Sequence, residues 1–134
     1  MYTRTEGIVL KEMRFRETSK ILTIYTKKHG KISVMARGAY KPKSQLIANT
    51  QPFSYNDYYL FKGKSFYYIN QAEIIDSFYS IRENINRVMY GSYLLELMEV
   101  STLEEEVHEK LFLLLKKGLM VLSQLDRDFL KFIL

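Results

Sequence analysis

The chain has 134 residues, 47% hydrophobic and 26% charged. That suits one ordinary domain, or a small barrel with a helical appendage, and excludes two large domains, a fibrous chain or a disordered one. The net charge of +5 is unevenly placed: Met1 to Ala72 holds 13 Lys and Arg against 4 Asp and Glu, whereas Glu73 to Leu134 holds 7 against 11. This asymmetry points to a polyanion-binding first half joined to a helper second half, although lysines that merely solubilise an aromatic-rich sheet would give the same totals. No cysteine is present, so disulfide frameworks and thiolate metal sites are excluded and a reducing cytoplasm is compatible. The opening "MYTRTEGIVL" lacks a basic region followed by a long apolar run, and Lys116 and Lys117 interrupt "LFLLLKKGLMVL". Neither a secretory leader nor a membrane span is expected.

In chain order, "GIVLK", "KILTIYT" and "KISVMAR" read as three strands, the last alternating Ile32, Val34 and Ala36 against Ser33, Met35 and Arg37. The turn "TKKHGK" joins the second to the third, with Gly30 free to take a positive φ. "FSYNDYYLF" and "FYYINQAEII" follow as strands four and five around the turn at Gly63, with Pro52 opening the fourth. Five short strands in meander-like order predict a closed barrel, because closure removes exposed edges.

The hydrophobic period changes near residue 80. "SIRE", Ser80 to Glu83, fits a capping box, and Ile81, Ile85, Val88, Ser92 and Leu95 give a helix over Ile81 to Val100 one apolar face. "STLEEE" supplies a second helix start, with Glu104, Glu105 and Glu106 at the positive end of a helix running to about Leu125. A third helix is expected over "LDRDFLKFIL", capped by Asp126 or Asp128. Its apolar stripe has neither stop signal nor partner, so the chain reads as the front part of a longer protein with an incomplete helical bundle. The expected organisation is α+β: residues 1–79 a small five-stranded barrel, which the family resemblance given below makes an oligonucleotide-binding (OB) barrel, and residues 80–134 helical, which that resemblance makes the start of an all-helical domain.

Catalysis finds little support. There is no Gly-rich phosphate loop, no Gly-x-Ser-x-Gly elbow and no His-Glu-x-x-His pair. His29 falls in a hairpin turn, and His108 one helical turn after Glu104, where two ligands without a third read as a solvated helix face rather than a metal site. No enzymatic step, cofactor, metal or small-molecule substrate is expected of these residues.

Nucleic-acid binding has two ingredients. Eight aromatics fall between positions 53 and 68, namely Phe53, Tyr55, Tyr58, Tyr59, Phe61, Phe66, Tyr67 and Tyr68. Because strand side chains alternate, so dense a run forces rings onto both faces, the outer ones either free to stack bases or covered by the helices. Cations cluster at the turns: Arg14, Arg16 and Lys20 around the first, Lys27, Lys28 and Lys31 around the second, Lys62 and Lys64 around the last. Arg37, Lys41 and Lys43, with Tyr40, occupy the connecting stretch "RGAYKPKS", read as a mobile basic loop at the mouth of a groove or else as a solvated loop. The residues expected to bind nucleic acid, DNA by the family resemblance given below, are Arg14, Arg16, Lys20, Lys27, Lys28, Arg37, Tyr40, Lys41, Lys43, Lys62 and Lys64.

"EGIVLK", "RETSKILTIYTKKHGKISVMARGA", "QPF" and "INQAEIIDSF", in this order and spacing, resemble the amino-terminal part of the bacterial RecO recombination-repair mediators, and "SYLLELMEV" resembles the first helix of that family's helical domain. The resemblance covers roughly Glu6 to Glu96. It implies an OB barrel before a helical domain, binding to single- and double-stranded DNA, annealing of complementary strands, contact with the single-strand-binding protein, and cooperation with RecR to load RecA. It also implies cytoplasmic, nucleoid-associated work. The family's cysteine-rich zinc site has no counterpart in a chain without cysteine. An RNA-binding OB module, or a protein-interaction module that recognises an acidic partner tail, are the competing readings.

Overall fold

The computed structural model describes residues 1–125. Strands β1 (Tyr2–Phe15), β2 (Ser19–Thr26), β3 (Gly30–Ala36), β4 (Tyr55–Lys62) and β5 (Tyr67–Asp76) close into a barrel in the order β1-β2-β3-β5-β4. Three helices follow: α1 (Tyr79–Arg82), α2 (Ile85–Ser101) and α3 (Glu109–Gln124). The chain therefore folds as an OB barrel followed by helices, as the resemblance implies; the strand order departs from the expected meander, because β3 pairs in parallel with β5 instead of with β4. Among the described residues, no helix is long and apolar enough to cross a membrane.

Closure depends on β1. It pairs with β4 over Tyr2 to Ile8 and with β2 over Gly7 to Phe15, and its register shifts between Val9 and Lys11. A bulge of this kind bends a strand so that it can serve two sheets. The remaining seam is parallel, Val34 and Met35 of β3 against Tyr67 and Tyr68 of β5. A positive φ at Gly30 opens β3, and an added Cβ there would meet the Glu106 carbonyl oxygen at 2.3 Å.

Two hydrophobic clusters result. The barrel interior holds Val9, Leu22, Ile24, Ile32, Val34, Tyr58, Leu60 and Tyr67. Between barrel and helices lie Ile8, Leu10, Tyr25, Phe53, Tyr55, Phe78, Ile81, Leu95, Met98 and Phe112. Gly91 lets α2 approach the barrel, since a Cβ there would fall 2.6 Å from the Phe53 ring. The aromatic run is thereby sorted. Tyr58 and Tyr67 point inward, Phe53 and Tyr55 lie under the helices, and the positions of opposite parity, Tyr59, Phe61 and Tyr68, face outward.

Several local expectations need correction. β4 begins at Tyr55, and Pro52 and Phe53 belong to a preceding turn in which Phe53 has φ 75°. Ser80 does not cap a long helix: it sits within the single turn α1, and its hydroxyl donates to the Ser123 carbonyl. The chain breaks at Glu83, and Asn84 caps α2 by accepting from the Arg87 N–H at 3.1 Å. An asparagine with extended backbone is the stronger cap of the two, because its side-chain oxygen reaches a free N–H of the first turn. "STLEEE" ends α2 rather than starting α3. Thr102 donates to the Met98 carbonyl, the Lys31 ammonium donates to the carbonyls of Glu99 (2.7 Å) and Thr102 (2.5 Å), and Glu105 takes φ 59°, so α3 starts only at Glu109. The helix expected over "LDRDFLKFIL" lies outside the described residues, apart from Leu125.

Candidate nucleic-acid interface

The cations come together through the turns that carry them. β2 spans eight residues, about 26 Å at about 3.3 Å per residue, so the β1–β2 and β2–β3 turns stand at opposite ends of it. At the first end, the stretch after β3 folds back onto the β1–β2 turn. Tyr40 N–H donates to the Thr18 carbonyl at 2.8 Å, and Gly38 N–H donates to Ser19 Oγ at 3.3 Å. Successive turns, from Lys41 N–H to the Gly38 carbonyl and from Ser44 N–H to the Lys41 carbonyl, then order the loop. Arg14, Arg16, Arg37, Lys41 and Lys43 thus share one end of the barrel around Tyr40, and all five are exposed.

At the second end, Lys27 and Lys28 flank the β2–β3 turn, with Lys27 3.7 Å from the Glu109 carboxylate. The β4–β5 turn with Lys62 and Lys64 lies between the two ends, beside Ile32 and Ser33 of β3. Lys62 stands over the Tyr67 ring at 5.8 Å, and the His29 ring is tilted against the same tyrosine at 5.7 Å. Burial, then the positive charges of Lys28 and Lys62, hold His29 below the usual histidine range, against an opposing pull from Glu105. The His29 Nε2 lies 2.9 Å from the Thr3 hydroxyl. Cations therefore form a run made up of the two ends of β3 and the β4–β5 turn beside it.

Lys20 does not belong to this run. It is only 4% exposed, its ammonium lies 3.1 Å from the Glu12 carboxylate and 4.9 Å from the Tyr40 ring centre, and it donates to the Thr50 carbonyl. A cation so enclosed holds the Tyr40 stretch to the barrel and cannot reach a phosphate. Tyr40 itself is already engaged, with the Arg14 guanidinium 4.5 Å from its ring centre on top of the Lys20 contact. A base stacking there has to displace a cation.

Acidic groups interrupt the run. The segment after α2 lies along β3: Glu105 N–H donates to the Lys31 carbonyl, Ser33 Oγ donates to Glu104, and the Tyr67 hydroxyl donates to Glu105. Glu104 and His108 are engaged apart, the first with Ser33 and the second with Glu106 at 3.2 Å. No group of three His, Asp or Glu positioned to hold a metal occurs among the described residues.

Sequence reasoning did not single out Arg4, Tyr2, Tyr59, Phe61 or Tyr68 as a group. On the outer face of β1, β4 and β5, Tyr2 is the cross-strand partner of Phe61, Arg4 of Tyr59, and Phe61 of Tyr68. Tyr2 and Tyr59 stack at 5.2 Å with 13° between their planes, Tyr2 and Phe61 meet edge to face at 5.3 Å, and Arg4 lies 5.4 Å from the Tyr59 ring centre. The available signal was parity, since residues 59 and 61 must face away from the inward Tyr58 and Leu60.

Two family descriptions match the chain: "Recombination protein O N terminal" over residues 1–78 and "Recombination protein O C terminal" over residues 82–133. Among curated proteins, the chain is 46% identical over 124 residues to DNA repair protein RecO of Alkaliphilus metalliredigens, covering 92% of this chain and 50% of that one. It is 40% identical over 127 residues to the protein of the same name from Acetivibrio thermocellus, covering 95% and 51%. With the Bacillus subtilis protein of that name it shares 40% identity over 134 residues, covering 99% and 52%. The chain spans about half the length of the curated relatives it matches.

Proposed function

Since the chain belongs to the RecO family of DNA repair proteins, we propose that it binds single- and double-stranded DNA through the cations at the barrel ends and the β4–β5 turn and anneals complementary strands without a catalytic step. Residues 1–79 are the nucleic-acid-binding unit, and the helices α2 and α3 that follow are a second unit packed on it. The observation that carries this reading is the run of cations from Arg14, Arg16, Arg37, Lys41 and Lys43 through Lys62 and Lys64 to Lys27 and Lys28. Complementary strands repel through their phosphates, and a cationic surface that holds both lowers that repulsion while leaving base edges free to pair. Contacts to phosphate carry no sequence information, which suits a repair protein that must accept any break. No cofactor is needed for such a task.

In the cell, the whole protein would act in the cytoplasm on the nucleoid, with RecR and the single-strand-binding protein, to place RecA on single-stranded DNA. A strand-annealing assay on complementary oligomers tests this, run with and without bound single-strand-binding protein across a salt series, with matched RNA as competitor. Faster annealing that fades with salt supports the reading. Preference for RNA, or no acceleration, overturns it.

A further inference from the structure

We propose that the outer strip of Tyr2, Tyr59, Phe61 and Tyr68, bounded by Arg4 and Arg37, is a stacking track for the unpaired bases of single-stranded DNA. The inference rests on the reading that the chain binds DNA, and it assigns the bases a place where that reading assigned only phosphates.

The strip is continuous across three strands. Direct cross-strand partners in a sheet stand about 4.5 to 5.5 Å apart at Cβ, so the pairs Tyr2–Phe61 and Phe61–Tyr68 carry rings from β1 over β4 to β5. Tyr68 packs on the β4–β5 turn, where a Cβ on Gly63 would lie 2.8 Å from its ring, and Arg37 stands 4.7 Å from its centre. The strip therefore meets the cation run at Arg37. The helices do not cover it, because they pack on Ile8, Leu10, Tyr25 and Tyr55 instead. Tyr2 is 53% exposed and Phe61 39%.

Three features favour single-stranded nucleic acid as the occupant. The Arg37 guanidinium at one end attracts a polyanion, and those of Arg4 and Arg37 both stack on bases. The rings are adjacent to one another rather than scattered, which suits successive bases; because Tyr2 covers one face of Tyr59 and Arg37 stands over Tyr68, the bases take the faces and edges those contacts leave open. A groove of about 470 Å³ opens beside Tyr59, lined by Arg4, Asp57, Asn70 and Gln71, and offers amide and carboxylate groups to base edges. Arg4 neutralises Asp57 across 3.3 Å, but Glu73 also borders the groove, so a base edge enters it more readily than a phosphate does. Duplex DNA has no unstacked base to offer and gains nothing from the rings.

The test uses the full chain with a fluorescein-labelled oligothymidylate and a duplex of equal length, read by fluorescence anisotropy. The Tyr59→Ala/Phe61→Ala variant should bind the single strand at least about tenfold more weakly, since each lost stack corresponds to about 5- to 150-fold. Its duplex affinity and salt slope should not change, and Tyr59→Phe/Phe61→Tyr should restore binding. A single-strand affinity unchanged in the alanine variant, while Arg37→Ala/Lys41→Ala/Lys43→Ala still weakens it, assigns the rings to a protein partner or to none. That result overturns the track but leaves DNA binding in place. Equal weakening for both DNA forms also overturns it, and a wild-type chain that binds neither form removes both readings. Photo-cross-linking of the wild-type chain to a 5-iodouracil oligomer is independent of variant folding: adducts at Tyr2, Tyr59, Phe61 or Tyr68 support the track, and adducts confined to Tyr40 and the loops contradict it.

Discussion

Lys20 separates the architecture from the binding surface, because its type and position in sequence match the other turn cations but its surroundings do not. Its side chain is 5% exposed and that of its partner Glu12 29% exposed, with 3.1 Å between the charges. At an effective dielectric near 20, the attraction between them is about 5 kcal/mol. Much of this is offset by the desolvation of the ammonium, so the pair's net contribution is far smaller than the attraction. Removing only the lysine leaves the half-buried Glu12 carboxylate with no cation and only the Tyr40 hydroxyl as donor, the Thr50 carbonyl without its donor, and Tyr40 without one of its two cations. Truncation of fully buried pairs costs about 3 to 5 kcal/mol, and the partial exposure of Glu12 lowers this to roughly 2 to 4 kcal/mol. Lys20→Met, which keeps most of the apolar stem, should lower Tm by about 6 to 15 °C for a chain of this size. The assay is thermal melting by circular dichroism, paired with single-strand binding well below the melt. Affinity should stay within about twofold of wild type, because the buried ammonium is already held by Glu12 and the Thr50 carbonyl. Adding Glu12→Gln should recover part of the loss, since the orphaned charge goes with it. An unchanged Tm together with a fivefold or greater loss of DNA affinity would refute the reasoning and return Lys20 to the binding surface.

Three further outcomes follow from named contacts. Gly91→Ala gains about 1 kcal/mol of helix propensity but drives a Cβ to 2.6 Å from the Phe53 ring, so a net destabilisation of about 1 to 2 kcal/mol is expected in urea denaturation. His29 has a lowered pKa in the folded chain, so its contribution to stability is fully present above the unfolded value of about 6.5. As pH falls through that value the unfolded chain takes up the proton first, and stability declines until the lower folded pKa is reached; His29→Gln should flatten this part of the stability–pH profile. Glu104→Gln/Glu105→Gln removes two negative charges from beside Lys62 and Lys64 and should tighten single-strand binding several-fold at low salt. That gain should vanish near 1 M salt, where the screening length is about 3 Å.

The barrel was legible because β2 and β3 alternate and Gly30 stands where their turn needs a positive φ, although the β1–β2 turn takes its positive φ at Arg16; the change of period near residue 80 marked the helices. What escaped was local competition. Ser80 and Asn84 both look like caps, and only the tertiary contact of Ser80 with the Ser123 carbonyl decides which one serves. "STLEEE" has the composition of a helix start, but Lys31, some seventy residues earlier, holds the end of α2 on the barrel and draws the acidic segment along β3. Lys20 was indistinguishable from Arg16 in sequence, since burial depends on where the Tyr40 stretch folds back. The aromatic strip was half legible. Parity fixed that Tyr59 and Phe61 face outward, but the pairing that adds Tyr2, Arg4 and Tyr68 requires the barrel register.

The salt dependence of single-stranded DNA binding by the Arg37→Ala/Lys41→Ala/Lys43→Ala variant tests the cation run most directly. Each phosphate contact contributes about 0.7 to the slope of log affinity against log salt, so the loss of three should flatten the slope by about two units and weaken binding at low salt. A slope equal to that of the wild-type chain, in a variant that melts normally, would contradict the account.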